Sequence, residues 1–452
     1  MKTMIQQTSN GDRAAMVIKK ALYFFGLVLC ATFFAGCQPK VYLMPPPVGI
    51  QPGGQLFELS SEDTKDDNLL YTLYATNRQP FDRSNKSDGY SIFPSDTLKL
   101  GYAVHRVGEE NMAWEEIYTE SLKKERSKKI LLSREYVREV VSYDIEDDLG
   151  KSSSEAYGFF QHVNGMLDKT IDKDILVYVH GANSGFYRAS AQGAQFFHFT
   201  GHNSLVLTFS WPSAESLLKY KVDVAHAKQT VPAFARLIEL LATHTKAKHI
   251  NILAYSAGAQ VTAPGLVYLV DKYPELTKEE LKKKLRIGEV YFAAPDAEFQ
   301  SFAERYLKFK NIVGRTTINI NQADSVLKLS AFQNGMSRLG RPDPSEVTPE
   351  QLKILIDASK TPQMDLLDIS GSEALQAGGA HDSWYNHPWV STDVLMLLLF
   401  NAPPLERGLD EYWYEDGSLT YRFPPDYEDR LRIIREEHME ELLEKLESEG
   451  RP

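Results

Sequence analysis

The stretch HINILAYSAGAQVTAP, residues 249–264, decides how the rest of the chain is read. Its first half, INILAY, is apolar and rich in β-branched residues, as a strand buried on both faces must be. From Ser256 onward the residues are small and compatible with a helix. A serine at such a junction is either a helix cap, the commoner role after a strand, or a nucleophile on a sharp strand-to-helix turn. The elbow pattern Gly-x-Ser-x-Gly is met in part, because Ala254-Tyr255-Ser256-Ala257-Gly258 carries alanine in the first glycine position. Alanine is nearly as small as glycine, so the choice between cap and nucleophile rests on what the chain places at its other strand ends.

Outward from this stretch, DILVYVHG (174–181), NSLVLTFSWPS (203–213), RIGEVYFAAPD (286–296), GRTTININ (314–321) and MDLLDIS (364–370) repeat the pattern of a short apolar strand. Helical stretches separate them, which predicts an α/β fold with a mostly parallel sheet covered by helices on both faces. Upstream, LLYTLYATN (69–77), TLKLGYAVHRV (97–107) and KKILLSREYVREVVSYD (128–144, one strand or two) predict an N-terminal strand extension. Ser152, three residues before Glu155, predicts a capping box opening a helix over 153–168. A long helix follows NSLVLTFSWPS, kinked or restarted at Pro232, and residues 389–401 form the last helix of the domain. Residues 341–362 read as a surface insertion with one short helix. Residues 402–452 read as a charged helical extension whose helix over 425–448 packs on the domain edge or contacts a partner protein.

An α/β sheet places its sites at the carboxyl ends of its strands. His180-Gly181-Ala182-Asn183, Ser256, Asp296 and Asp324 fall there, and His381 follows the last strand. The order Ser…Asp…His is the one used by α/β hydrolases. Serine needs a base to take its proton, histidine serves near neutral pH, and a carboxylate orients the imidazole and stabilises its cation. The candidates are Ser256 as nucleophile, His381 as base with His387 as alternative, and Asp324 as acid with Asp296 as alternative. Backbone N–H groups of Ala257, at the helix start, and Ala182, after VHG, are the candidate oxyanion donors. His180 is read as shaping that loop. No His/Cys cluster stands at ligand spacing, so neither metal nor cofactor is expected.

These segments carry a resemblance. ILVYVHGANSGF, LVLTFSWPS, INILAYSAGAQV, GEVYFAAPDAE, INQADSVLKLS and RLGRPD, with LYATNR near the first strand, together resemble one group of bacterial α/β-hydrolase-like proteins of unknown function, over roughly residues 68–400. The resemblance implies the α/β-hydrolase fold. It places the elbow serine on Ser256, the acid on Asp324 and the histidine on His381. The chain departs from the group at Tyr255-Ser256-Ala257, where His-Ser-Met is common; a tyrosine can point into the same space. The short connection after Asp296 leaves no room for a large lid at the group's usual cap position, so an open site is expected unless the 341–362 insertion covers it.

The chain has 452 residues, 43% hydrophobic and 25% charged, which is globular composition. Of its 50 basic and 61 acidic residues, four basic and one acidic lie in residues 1–36, leaving 46 to 60 in the remainder. Such an acidic balance argues against nucleic acid as a partner. The two cysteines, Cys30 and Cys37, exclude a disulfide-held fold. Both lie in KKALYFFGLVLCATFFAGCQPK: two lysines, sixteen uncharged residues (21–36), then cysteine, the plan of a cleaved signal rather than a membrane span of about 20 residues. Phe34-Ala35-Gly36-Cys37 resembles a bacterial lipobox, implying lipidation at Cys37, and Gln38 in place of aspartate implies the outer membrane, facing the periplasm. Met16 is a second candidate start, and the Pro/Gly-rich residues 37–66 read as a tether. The expectation is a lipid-anchored serine hydrolase of small-molecule or lipid carboxylic esters. A non-catalytic envelope binding protein on the same fold and an acyltransferase are the alternatives.

Overall fold

The computed structural model describes residues 40–48, 68–81, 89–147, 153–170, 173–216, 219–346, 348–371 and 381–434. The chain divides after Lys40, and the strands and helices of the fold belong to the unit beginning at Val41. The expected signal segment, Cys37, the tether beyond residue 48 and residues 435–448 of the expected C-terminal helix lie outside the described residues.

Twelve strands among the described residues form one sheet: β1 (Val41–Tyr42), β2 (Leu69–Pro80), β3 (Tyr90–Val107), β4 (Leu131–Asp144), β5 (Ile175–Val179), β6 (Leu205–Phe209), β7 (Ile250–Tyr255), β8 (Ile287–Ala293), β9 (Arg315–Ile320), β10 (Met364–Asp368), β11 (Asp410–Trp413) and β12 (Leu419–Arg422). Their order is β1-β4-β3-β2-β6-β5-β7-β8-β9-β10-β12-β11. From β2 through β6, β5, β7, β8, β9 and β10 to β12 every pairing is parallel. Antiparallel pairs close both ends.

Every residue of β5, β6, β7 and β8 is buried. Alternation sorts their side chains to two faces. Ile175, Val177 and Val179 join one apolar cluster with Phe159, Phe234 and Leu266 from helices on that side. Leu176 and Tyr178 join the other, with Phe196, Val394 and Leu397. The expected layers, helices on both faces of a mostly parallel sheet, are therefore present. The chain steps from β5 to β6 on one side, then crosses to β7 on the other side of β5. The strand order reverses between β5 and β7, which is where a sheet of this kind opens a crevice.

Several local expectations are corrected. Ser153, not Ser152, caps the helix Ser154–Lys169, accepting from the Ala156 N–H. Pro232 lies inside one continuous helix, Tyr220–His244, and neither ends nor restarts it. Residues 128–144 give a single strand, β4. Residues 41–48, assigned to the tether, are packed into the fold: β1 pairs with β4, and Val41, Leu43, Met44 and Val48 are buried. Burying these four apolar side chains offsets the chain entropy lost in ordering the segment. The extension after 402 is not wholly helical. Residues 410–422 form the β11–β12 hairpin, and β12 joins β10 in parallel. Residues 427–434 are helical and held down by Tyr427 and Leu431, both buried.

Burial also sets a pH response. His105 is fully buried against Ser190, with Nε2 3.0 Å from Oγ. Burial first, and then the charge of Arg134, push its pKa down to about 3. The unfolded chain binds the proton first as pH falls, so the contribution of neutral His105 is complete above the ordinary histidine pKa of about 6.5 and is lost progressively towards 3. Urea unfolding at pH 7.5 and pH 5 should show about 2 kcal/mol of acid destabilisation in the wild type that is missing from His105→Gln.

Candidate active site

β7 ends at Tyr255, and Ser256–Gly258 make one tight 3-10 turn before the helix Ala259–Lys272, the elbow helix. Ser256 has φ of 50°, a left-handed conformation that a non-glycine residue adopts only when its surroundings hold it. The position that requires glycine is 258: a Cβ there would stand 2.5 Å from the Val179 carbonyl oxygen and 2.9 Å from that of His180. Ala254 lies within extended β7 and has no positive φ, so its methyl group fits the strand.

Ser256 Oγ is 2.9 Å from His381 Nε2, and His381 Nδ1 is 2.8 Å from Asp324 Oδ2. The three side chains thus form a relay from a loop after β7, a loop after β9 and the segment after β10. Asp324 is fully buried, and its other oxygen caps the helix Ser325–Asn334 by accepting from the Leu327 N–H at 2.9 Å. That second bond fixes the carboxylate plane toward His381. The Tyr255 ring packs against His381 at 5.4 Å and against Trp384 at 5.5 Å, so the tyrosine does enter the space beside Ser256 and His381. Burial raises its hydroxyl pKa well above the ordinary value, which keeps it neutral.

The loop after β5 lies directly on Ser256, since a Cβ at Gly181 would stand 2.9 Å from Ser256 Cβ. The next backbone N–H groups are committed. Asn183 N donates to Asp223 Oδ2 at 3.1 Å and Ser184 N to Ser213 Oγ at 3.2 Å. Ala182 is therefore presented beside Ser256 by a loop pinned from its far side, and Ala257 stands in the first turn of the elbow. His180 stacks on Trp211 with an interplanar angle of 5°, while the Trp211 indole donates to the His180 carbonyl at 2.6 Å. Burial above all, with Arg78 nearby, lowers the His180 pKa to about 3, and the ring acts as a neutral spacer.

Sequence reading did not assign a role to Arg78, the last residue of LYATNR. Its guanidinium is fully buried and donates to the carbonyls of Ser184 at 2.7 Å and Ser91 at 3.2 Å, and to Ser210 Oγ at 3.1 Å. One side chain thus ties the loops after β5 and β6 to β2 and β3. Burial lowers its pKa to about 10, opposed by Glu215 and Asp223, so it stays charged at neutral pH. An arginine closing a buried strand is the signal that could have marked it, because such a charge must find partners.

The two alternatives are not brought into the relay. The Asp296 carboxylate is ion-paired with Arg338 and accepts from Tyr220 at 2.7 Å and Ser330 at 2.7 Å. Its role is backbone support: the Asp296 N–H donates to the Ser256 carbonyl at 3.0 Å, and Gln260 of the elbow helix donates to the Asp296 carbonyl at 2.7 Å. Arg338 belongs to RLGRPD, a strap joined to the β8 and β9 ends through Gly340 N to Pro295 O and Asn321 N to Gly340 O. His387 instead caps the helix Pro388–Phe400, accepting from the Trp389 N–H at 3.2 Å. Among the described residues no group of three or more His, Cys, Asp or Glu side chains is gathered as a metal site.

In sequence, a family model described as "Alpha/beta hydrolase of unknown function (DUF900)" matches residues 157–395. An uncharacterized protein of Nostoc sp., alr1448, is 26% identical over 224 residues, 39% of this chain and 58% of that protein. The chain thus matches little more than half the length of that relative. Among solved structures, Thermogutta terrifontis esterase 2 phosphoramylated by tabun is 12% identical with a TM-score of 0.30, covering 50% of this chain and 81% of its own. Esterase B from Lactobacillus Rhamnosis is 12% identical with a TM-score of 0.28, covering 51% and 76%. Likenesses that low carry no argument about this chain.

The Asp296–Arg338 pair is nearly fully buried on both sides. Arg338→Met should lower unfolding stability by about 3–5 kcal/mol, because it strands a buried carboxylate. Adding Asp296→Asn should recover much of that loss in urea denaturation, whereas a purely packing role for Arg338 predicts no recovery.

Proposed function

As the chain belongs to the family of α/β hydrolases of unknown function, we propose that it is a serine hydrolase that cleaves a carboxylic ester through an acyl-enzyme. The observation that carries this reading is the unbroken relay Ser256–His381–Asp324, at 2.9 Å and 2.8 Å, with the serine on a left-handed turn.

Ser256 Oγ attacks the ester carbonyl while His381 Nε2 takes its proton. Asp324 holds the imidazole with Nδ1–H directed at its carboxylate and stabilises the imidazolium. The oxyanion accepts from the N–H groups of Ala182 and Ala257. As the tetrahedral intermediate collapses, the carbon–oxygen bond to the alcohol breaks and the alcohol leaves with the proton from His381. Water then attacks the acyl-serine, again losing its proton to His381, and the acid departs as Ser256 is restored. Each step is a proton transfer or an acyl transfer, so the reading invokes no cofactor. The reading also places lipid on Cys37 and the enzyme at the bacterial cell envelope, on the outer membrane facing the periplasm, where lipid esters are within reach. Its support is the apolar run and Cys37 at the chain's start.

A fluorophosphonate probe should label the wild type and leave Ser256→Ala unlabelled; a folded wild type that takes no label sinks the hydrolase reading. Asp324→Asn keeps a good helix cap but offers the histidine the wrong partner. Its kcat on p-nitrophenyl butyrate should therefore fall on the order of 10⁴-fold, with little change in melting temperature. Mass spectrometry of the protein from membranes should find diacylglycerol-modified Cys37, and Cys37→Ala should release the protein into the soluble fraction.

A further inference from the structure

A cavity of about 360 Å³ lies under the insertion helix, Pro349–Ser359. Leu352, Leu355 and Ile356 of that helix line it, with Ile318 and Ile320 of β9 and Leu366 of β10. None of Ser256, Asp324 or His381 belongs to its lining. The insertion expected over residues 341–362 therefore helps wall a pocket on the sheet whose lining is distinct from the three relay residues.

The chemistry of the walls restricts the occupant. No lysine or arginine stands among the described lining residues, which include Asp368 and Asp416, and the neighbouring Arg422 is already paired with Asp368, so the walls do not favour an anionic head group. The polar lining groups already have partners. Asp368 accepts from Tyr414 at 2.8 Å and pairs with Arg422 at 2.8 Å. The Gln322 amide donates to the Pro342 carbonyl at 2.9 Å, and Asp416 accepts from the Ser418 hydroxyl at 2.7 Å. A cation would have to displace these bonds. What remains unserved is apolar wall. A pocket of about 300–1,000 Å³ with mostly apolar walls is the usual form of a small-molecule site, and an apolar cavity of about 150 Å³ already takes up benzene.

We propose that this cavity is a binding site for an uncharged aliphatic chain. The chain comes either from the substrate ester itself or from a separate neutral lipid. Two lining residues connect the cavity to the relay. Gln322 stands in the turn whose Asn321 carbonyl accepts from the Asp324 N–H at 3.2 Å. Leu339 follows Arg338, which holds Asp296 and through it the Ser256 carbonyl. An occupant thus touches the segments that seat both the acid and the nucleophile. The binding claim does not depend on the hydrolase reading.

Decan-1-ol carrying a diazirine, photolysed with the wild-type protein and mapped by peptide mass spectrometry, should label residues within 318–322, 339–344, 349–359, 364–368 or 414–420, and plain decan-1-ol should compete the label away. Labelling confined to other segments, or no competable labelling, overturns the proposal. In calorimetry, plain decan-1-ol should bind the wild type saturably. It should bind at least tenfold more weakly to Ile356→Trp, which fills the volume, and to Leu352→Gln, which leaves an unpaired amide in the wall. Equal affinity in folded forms of both variants also overturns it. With wild-type enzyme, decan-1-ol that raises KM for p-nitrophenyl decanoate but not for p-nitrophenyl acetate identifies the substrate's own chain as occupant. Unchanged kinetics on both esters, with binding retained, identifies a separate neutral lipid. Absence of ester turnover removes only that last distinction and leaves the binding result standing.

Discussion

Ser256 is held in a left-handed backbone conformation, and the surrounding architecture is arranged to keep it there. Such a residue costs about 1–3 kcal/mol and persists only where its neighbours over-determine it. Here the constraint comes from several directions. The Asp296 N–H takes the Ser256 carbonyl, and the elbow helix approaches the Val179 and His180 carbonyls closely enough that only glycine fits at 258. Gly181 lets the opposite loop touch the serine from above. Released from this turn, Oγ would no longer face His381, and the rest of the relay would have nothing to act on.

The constraint is transmitted by buried charges rather than by apolar contact alone. Arg78 binds the loops after β5 and β6 to the N-terminal strands, and Asp223 collects the N–H groups of Asn183 and Ala214 with the Ser213 hydroxyl. Arg338 does the same on the other flank through Asp296. Each is a short polar bridge between segments far apart in the chain, where a packed aliphatic side chain could fill space but not set a direction. A third buried cation, Arg407, pairs with Asp393 of the helix Pro388–Phe400 at 2.8 Å and lies 3.4 Å from Asp365 of β10. It makes the start of the C-terminal extension part of the domain, tied to β10 and the helix Pro388–Phe400.

Much of this was legible in the sequence, for reasons that differ by element. β5 to β7 are short and almost wholly apolar, and β8 and β9 follow at similar intervals with β-branched residues, so strand and parallel sheet followed from composition and spacing. Ser256, Asp324 and His381 could be nominated because each follows a strand, and the order of the three narrows the chemistry. The β11–β12 hairpin was missed because the charged residues around it suggested a solvated helix. The Asp416-Gly417 pair, with Gly417 at φ of 81°, was the turn signal. Residues 41–48 were missed because proline-rich composition does not show that four apolar side chains have a surface waiting for them. Asp324 was already the favoured acid in the sequence, by its place and by the resemblance, but both it and Asp296 are aspartates after consecutive strands, and what would occupy Asp296 was not legible.

By itself, the sequence determined the layers, the strand ends and the residue types available at them, because alternation and apolar run length are local properties written into each segment. Only the tertiary structure decided which aspartate meets His381. Arg338 arrives from a strap over 40 residues further along to claim Asp296, while Asp324 is left buried with one oxygen turned to its own helix and the other to the imidazole. That allocation depends on where an unrelated cation lands, and no reading of either aspartate's neighbours contains it.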